Sequence, residues 1–375
     1  MPLKPTNIPN LTPLRGIAAL LVAVFHFNAI GATFVNANKT MLIEKCYLMV
    51  DLFFIMSGFV MLHVYGNSFS KTIDWPVFKK FIKARFARLY PLHFFTLAIA
   101  VVLFYAGNNP PSPIENPSAI ATHLLLLQSF GIHKIFTWNV PSWSISAEWW
   151  SYIIFPLGAL FLSKNKKATL VVMLLLSTSL YFAIEYFLPR VNPFAAAIPV
   201  PHNLDVTYDY GFLRGFAGFM LGTATYTQYQ NKNLHTFLSK DVVAICCIVA
   251  IFLTMHFGLN DLINILLFAL LVLTVAANKN ALYKITTFKP LQYLGDISYS
   301  IYLVHSSLIF FVAVPIFQEL HFIYKGPGSL QLPFFTGLGI CCIFLVAAIV
   351  VSSITYYAIE RPFRKWINKS FVQIK

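Results

Sequence analysis

Three ionisable residues fall inside apolar stretches of this chain, and their types suit proton transfer. His26 lies near the end of LRGIAALLVAVFHF (14–27), Asp51 opens VDLFFIMSGFV (50–60), and Glu148 sits in PSWSISAEWW (141–150). An imidazole beside a carboxylate is held in one tautomer and made more basic, as abstraction of a hydroxyl proton requires. A second constellation is cationic. Arg85 and Arg88 in RFAR stand at i, i+3, so on a helix they share a face and can grip a phosphate through their forks. Lys79, Lys80 and Lys83 precede them, and a basic cluster of that kind also attracts anionic lipid headgroups. Arg15 either extends the phosphate site or snorkels.

Composition dictates the elements that must hold these residues. Of 375 residues, 58% are hydrophobic and only 11% charged, against about a quarter charged in soluble domains. About ten apolar stretches of roughly 20 residues predict an all-α polytopic membrane protein, a single integral-membrane domain over 1–375. They fall near 13–30, 47–64, 89–106, 142–162, 168–188, 211–229, 242–258, 261–277, 294–318 and 334–358. The apolar part of 120–131 is too short to cross and reads as re-entrant or interfacial, after a Pro/Asn-rich outer loop at 107–117.

Lysine and arginine collect on alternate loops. With the N-terminus in the cytoplasm, roughly twenty lie inside and about five outside (Lys39, Lys45, Lys134, Arg190, Lys325). Both termini are therefore expected in the cytoplasm, and the cell's inner or plasma membrane is the expected location. This bias accounts for the net charge of +14 without nucleic acid as a partner. Cys246, Cys247, Cys341 and Cys342 fall in apolar spans and Cys46 in a loop, with no metal-ligand spacing, so no metal and no disulfide framework are expected.

A helix rises about 1.5 Å per residue, which puts His26 about 20 Å above the inner face, Asp51 just below the outer boundary and Glu148 about 10 Å deep. The three are expected in one outer layer, Asp51 orienting His26. Arg214 is placed to pair with Glu148 or meet an outer substrate. His305, beside Tyr302, reads as a hydrogen-bonding residue of the bundle. Asp296 and Glu360 are expected to pair with Arg361 or nearby lysines.

In order along the chain, these segments resemble acyltransferase family 3, the membrane O-acyltransferases. The first two stretches resemble its first- and second-helix motifs, RFAR its Arg-x-x-Arg, PSWSISAEWW its Trp-Ser-x-x-x-Glu, LGDISYSIYLVH (294–305) its late Tyr/His motif and ERPFRKW (360–366) its close. The resemblance implies acyl-CoA, acetyl-CoA by default, as a cytoplasmic donor with no permanently bound cofactor. It also implies transfer to a hydroxyl, usually of a glycan such as O-antigen, exopolysaccharide or peptidoglycan. By carry-over His26 is the base and Arg85 with Arg88 meets the CoA phosphates; the depth argument adds Asp51 and Glu148 beside His26, and Arg15 is the further candidate for the phosphates. Trp143, Ser144, Arg214, Tyr302 and His305 are the candidate substrate contacts, Ser144, Trp143 or Asn139 supplying an oxyanion donor. Many members carry a fused SGNH domain, and this chain is expected to stand without one. A competing class, a transporter of a lipid-linked or small acidic solute using a His/Asp/Glu proton relay, would favour inverted repeats and paired broken helices; neither is visible.

Overall fold

The computed structural model describes residues 8–106, 116–189, 202–319 and 330–369. Most of the loop read at 107–117, together with Arg190 and Lys325, lies outside them. The described residues form sixteen α-helices. The first eight are α1 (Thr12–His26), α2 (Met49–Tyr65), α3 (Trp75–Ala106), α4 (Ala119–Leu124), α5 (Trp143–Lys164), α6 (Lys166–Tyr186), α7 (Gly211–Tyr229) and α8 (Lys232–Leu238). The rest are α9 (Asp241–His256), α10 (Asp261–Ala277), α11 (Ala281–Thr286), α12 (Lys289–Asp296), α13 (Ser298–Leu308), α14 (Val314–Glu319), α15 (Phe334–Thr355) and α16 (Arg361–Lys369). Two short strands, β1 (Ala32–Thr33) and β2 (Leu330–Gln331), pair in parallel.

Helix forms at each of the ten predicted places, and among the described residues seven helical segments are long and apolar enough to cross a bilayer. The chain is an all-α integral membrane protein. α9 and α10 are shorter, at 16 and 17 residues. α7 is 19 residues long and mostly buried, with threonines and glycines where a lipid-facing span would carry leucine. α3 starts fourteen residues before its predicted apolar boundary and runs unbroken for 32 residues, so Arg85 and Arg88 lie within a helix rather than ahead of one.

Two backbone-to-backbone contacts fix the centre. A Cβ at Gly58 of α2 would stand 2.0 Å from Phe219 O, and one at Gly222 of α7 would stand 2.0 Å from Ile55 O. Small residues let helix backbones meet this closely. α1 crosses α12 in the same way at Gly295, where a Cβ would stand 2.1 Å from Thr12 O. That crossing seats Arg15 at one end of α1 and leaves His26 at the other. π-helical turns lie at Phe27–Gly31, directly after His26, at Ile309–Ala313, four residues beyond His305, and at Tyr356–Glu360, which ends on a residue of the site described below.

Lys45 corrects the charge count. It is fully buried, and its Nζ lies 2.5 Å from Asp261 Oδ1, while the Tyr47 hydroxyl and Leu204 N donate to Asp261 Oδ2. A carboxylate buried at the start of α10 needs a cation beside it. Lys45 is that cation rather than a loop charge in water.

Candidate functional site

α1, α2, α3, α5 and α13 enclose a cavity with about 150 Å³ of free space. Its charge comes from Arg15, Arg85 and Arg88, facing Glu148. The i, i+3 spacing brings Arg85 and Arg88 to one face, as expected. Arg85 Nη2 donates to the Tyr65 hydroxyl at 3.2 Å, and its guanidinium lies 5.3 and 5.8 Å from the Tyr65 and Tyr152 ring centres. Its buried Nε has no hydrogen-bond partner among the described residues. Arg88 is ion-paired with Glu360, whose second oxygen accepts from Ser300 Oγ at 3.0 Å. Arg15 makes no hydrogen bond or ion pair among the described residues and faces Glu148, Tyr152 and Arg85. Glu148 Oε1 accepts from Ser57 Oγ at 2.7 Å and from the Tyr152 hydroxyl at 2.5 Å. Three guanidiniums, two of them with donors to spare, make a seat for a polyanion.

The second centre lies at the far end of α1, eleven residues beyond Arg15 and so about 16 Å along the axis. His26 Nδ1 stands 3.0 Å from His305 Nε2 and 3.1 Å from Val22 O. His305 is fully buried, and its Nδ1 lies 3.1 Å from Ile301 O. Tyr302 joins the two centres. It lines the cavity, its ring centre is 5.9 Å from that of His305, and its hydroxyl accepts from Ser144 Oγ at 2.8 Å and donates to Pro141 O.

Several expected pairings are replaced. Asp51 does not orient His26. Arg214 holds it, with Nη2 2.6 Å from Oδ2 and Nε 3.1 Å from the same oxygen, and the Tyr181 hydroxyl donates to Oδ1. Arg214 also donates to the carbonyls of Tyr47 and Val206 and lies between the Tyr47 and Trp143 rings, 5.4 Å from each centre. A buried carboxylate and a buried guanidinium each require a partner, and α2 and α7 are close enough to supply it. Arg214 therefore pairs with Asp51 rather than Glu148, and Trp143 packs on it. Glu148 accepts from Ser57 and Tyr152 and shares the cavity lining with the arginines instead of joining His26. Asn139 is buried, its Nδ2 donating to Thr96 Oγ1 at 2.9 Å. Glu360 pairs with Arg88, not with Arg361.

Sequence reasoning missed Ser57, Tyr152 and Tyr299 as cavity residues, and Tyr65 and Glu360 as the partners of Arg85 and Arg88. Tyr152 stands one turn from Glu148, Tyr299 one turn from Tyr302, Ser57 under two turns from Asp51 and Glu360 directly before a basic run, whereas Tyr65 carried no signal.

Apolar helices surround a chamber lined by arginines, with paired imidazoles at a distance. Residues 8–357 match the family model described as an acyltransferase domain, and the chain belongs to that acyltransferase family. It is similar to acyltransferase MdmB of Streptomyces mycarofaciens, 32% identical over 42% of this chain and 40% of that protein. It is also similar to the putative peptidoglycan O-acetyltransferase YrhL of Bacillus subtilis (strain 168), at 24% identity over 97% of this chain and 56% of that one. Peptidoglycan O-acetyltransferase OatA of Listeria monocytogenes serovar 1/2a is 25% identical over 80% of this chain and 49% of its own. The chain spans about half the length of these relatives.

Proposed function

We propose that the protein is a membrane O-acyltransferase: it takes an acyl group, acetyl by default, from acyl-CoA and passes it to a glycan hydroxyl, with His26 as general base. The observation that carries this reading is the arginine-lined cavity set about 16 Å along α1 from His26. An extended pantetheine arm has comparable reach. The phosphates then rest at Arg15 and Arg85, with Arg88 beside them, while the thioester carbon meets the acceptor near His26.

His26 removes the hydroxyl proton, the oxygen bonds to the thioester carbon, the C–S bond breaks, and the departing sulfur takes up the proton. An alcohol is too weak a nucleophile near neutral pH without such a base. Asp51 and Arg214 hold α2, α7 and Trp143 in place, and Glu148 keeps the cavity wall charged and ordered. The single-domain reading, ten crossings and cytoplasmic termini belong to the same proposal, the arginines opening to the cytoplasm. The similarity to OatA, a peptidoglycan O-acetyltransferase, and to YrhL, named a putative one, supports a cell-envelope glycan as acceptor.

The test is thiol release from acetyl-CoA by the full chain in lipid nanodiscs with a peptidoglycan digest. His26→Ala is expected to lose about 10²–10⁴-fold in turnover while still binding CoA, whereas Arg15→Ala with Arg85→Ala weakens CoA binding. Wild-type turnover by His26→Ala would remove the base assignment.

A further inference from the structure

The geometry points to His305 as the residue that fixes which nitrogen of His26 offers its lone pair, a positioning role that rests on the reading of His26 as base. A carbonyl oxygen accepts and never donates, so His305 Nδ1, 3.1 Å from Ile301 O, carries a hydrogen. In the neutral ring, His305 Nε2 then holds a lone pair. His26 Nδ1 lies 3.0 Å from that lone pair and 3.1 Å from Val22 O, a second pure acceptor. His26 Nδ1 therefore carries the hydrogen, and His26 Nε2 is the basic nitrogen. Among the described residues no hydrogen bond occupies that Nε2.

Val22 O alone selects this tautomer only while the ring keeps its angle, since it belongs to the helix that carries His26. His305 comes from α13, and its lone pair anchors the ring across the α1–α13 interface. Ala19, Ile297 and Ile301 form one buried cluster between these helices, so the anchor does not drift. Asp51, the alternative orienter, is spent on Arg214.

The arrangement also serves the step itself. When the acceptor proton moves to His26 Nε2, both nitrogens carry hydrogen, and the Nδ1–H faces a neutral lone pair rather than a second cation. The new ester bond forms, the C–S bond breaks, and the Nε2 proton goes to the leaving sulfur, which returns both rings to their starting tautomers.

Two polar replacements separate this role from bulk packing. In His305→Gln, Oε1 stands near the position of Nε2 and accepts from His26; in His305→Asn, the shorter amide cannot reach. Histidine ¹⁵N NMR of the labelled full chain, with the His26 signal identified by its loss in His26→Ala, is expected to show hydrogen on Nδ1 and a bare Nε2. That pattern persists in His305→Gln and gives way to a tautomer mixture in His305→Asn. In the acetyl-CoA assay, kcat falls about tenfold or more for His305→Asn and recovers in His305→Gln, with KM for acetyl-CoA unchanged in both. Hydrogen on His26 Nε2 in the wild type, or equal spectra and kcat for the two variants, would overturn the assignment. The expected spectra in a protein that releases no thiol would instead retire the reaction and leave the histidine pair standing.

Discussion

Arg214 and Asp51 are sealed from solvent and neutralise each other through three close nitrogen–oxygen contacts. Removing one partner strands the other charge, so Arg214→Met or Asp51→Asn is expected to cost about 3–5 kcal/mol of stability. Thermal unfolding in detergent checks this, and Asp51→Leu combined with Arg214→Met should unfold higher than Arg214→Met alone. At Arg85 the loss is of another kind. Lysine keeps the charge but gives up the fork and the ring contacts to Tyr65 and Tyr152, so Arg85→Lys should weaken CoA binding in calorimetry while the fold persists. Counting residues from a span's end put His26 and Asp51 at defined depths. It could not choose partners within a layer, because lateral neighbours depend on helix packing: Asp51 had an imidazole and a guanidinium at similar height and took the permanent cation.

Among the elements, α2 and α7 depend most on what is missing from a side chain. A methyl group at Gly58 or Gly222 would stand 2.0 Å from a backbone oxygen, which cannot yield without separating the helices. Gly58→Val and Gly222→Val are each expected to abolish the monodisperse peak in size-exclusion chromatography of detergent-extracted protein. Apolar run length showed where helices form, because a bilayer demands about 20 apolar residues per crossing. It missed the early start of α3, whose first turns are basic and aromatic rather than apolar. The π-helical turns left no trace in periodicity, each adding one residue to a single turn. They follow His26 directly and lie close to His305, and the third ends on Glu360.

At the scale of the whole molecule, charge is sorted into closed pairs and open donors. Lys45 with Asp261 and Arg214 with Asp51 are closed, whereas Arg15 and Arg85 keep donors available at a cavity wall. Binding of CoA there should weaken steadily between about 0.01 and 1 M salt, as the screening length falls from about 30 to 3 Å; calorimetry at several ionic strengths reads it. α16 belongs to the same region. Glu360 ties the segment before it to Arg88, and Lys83 Nζ on α3 donates to Asn368 O at 3.1 Å. On the proposed reading, a bulky fluorescent reporter joined to the side chain of Lys369 hangs from a helix held against α3, and nucleotide entry is expected to be slower than with the same cargo joined in the α8–α9 connection.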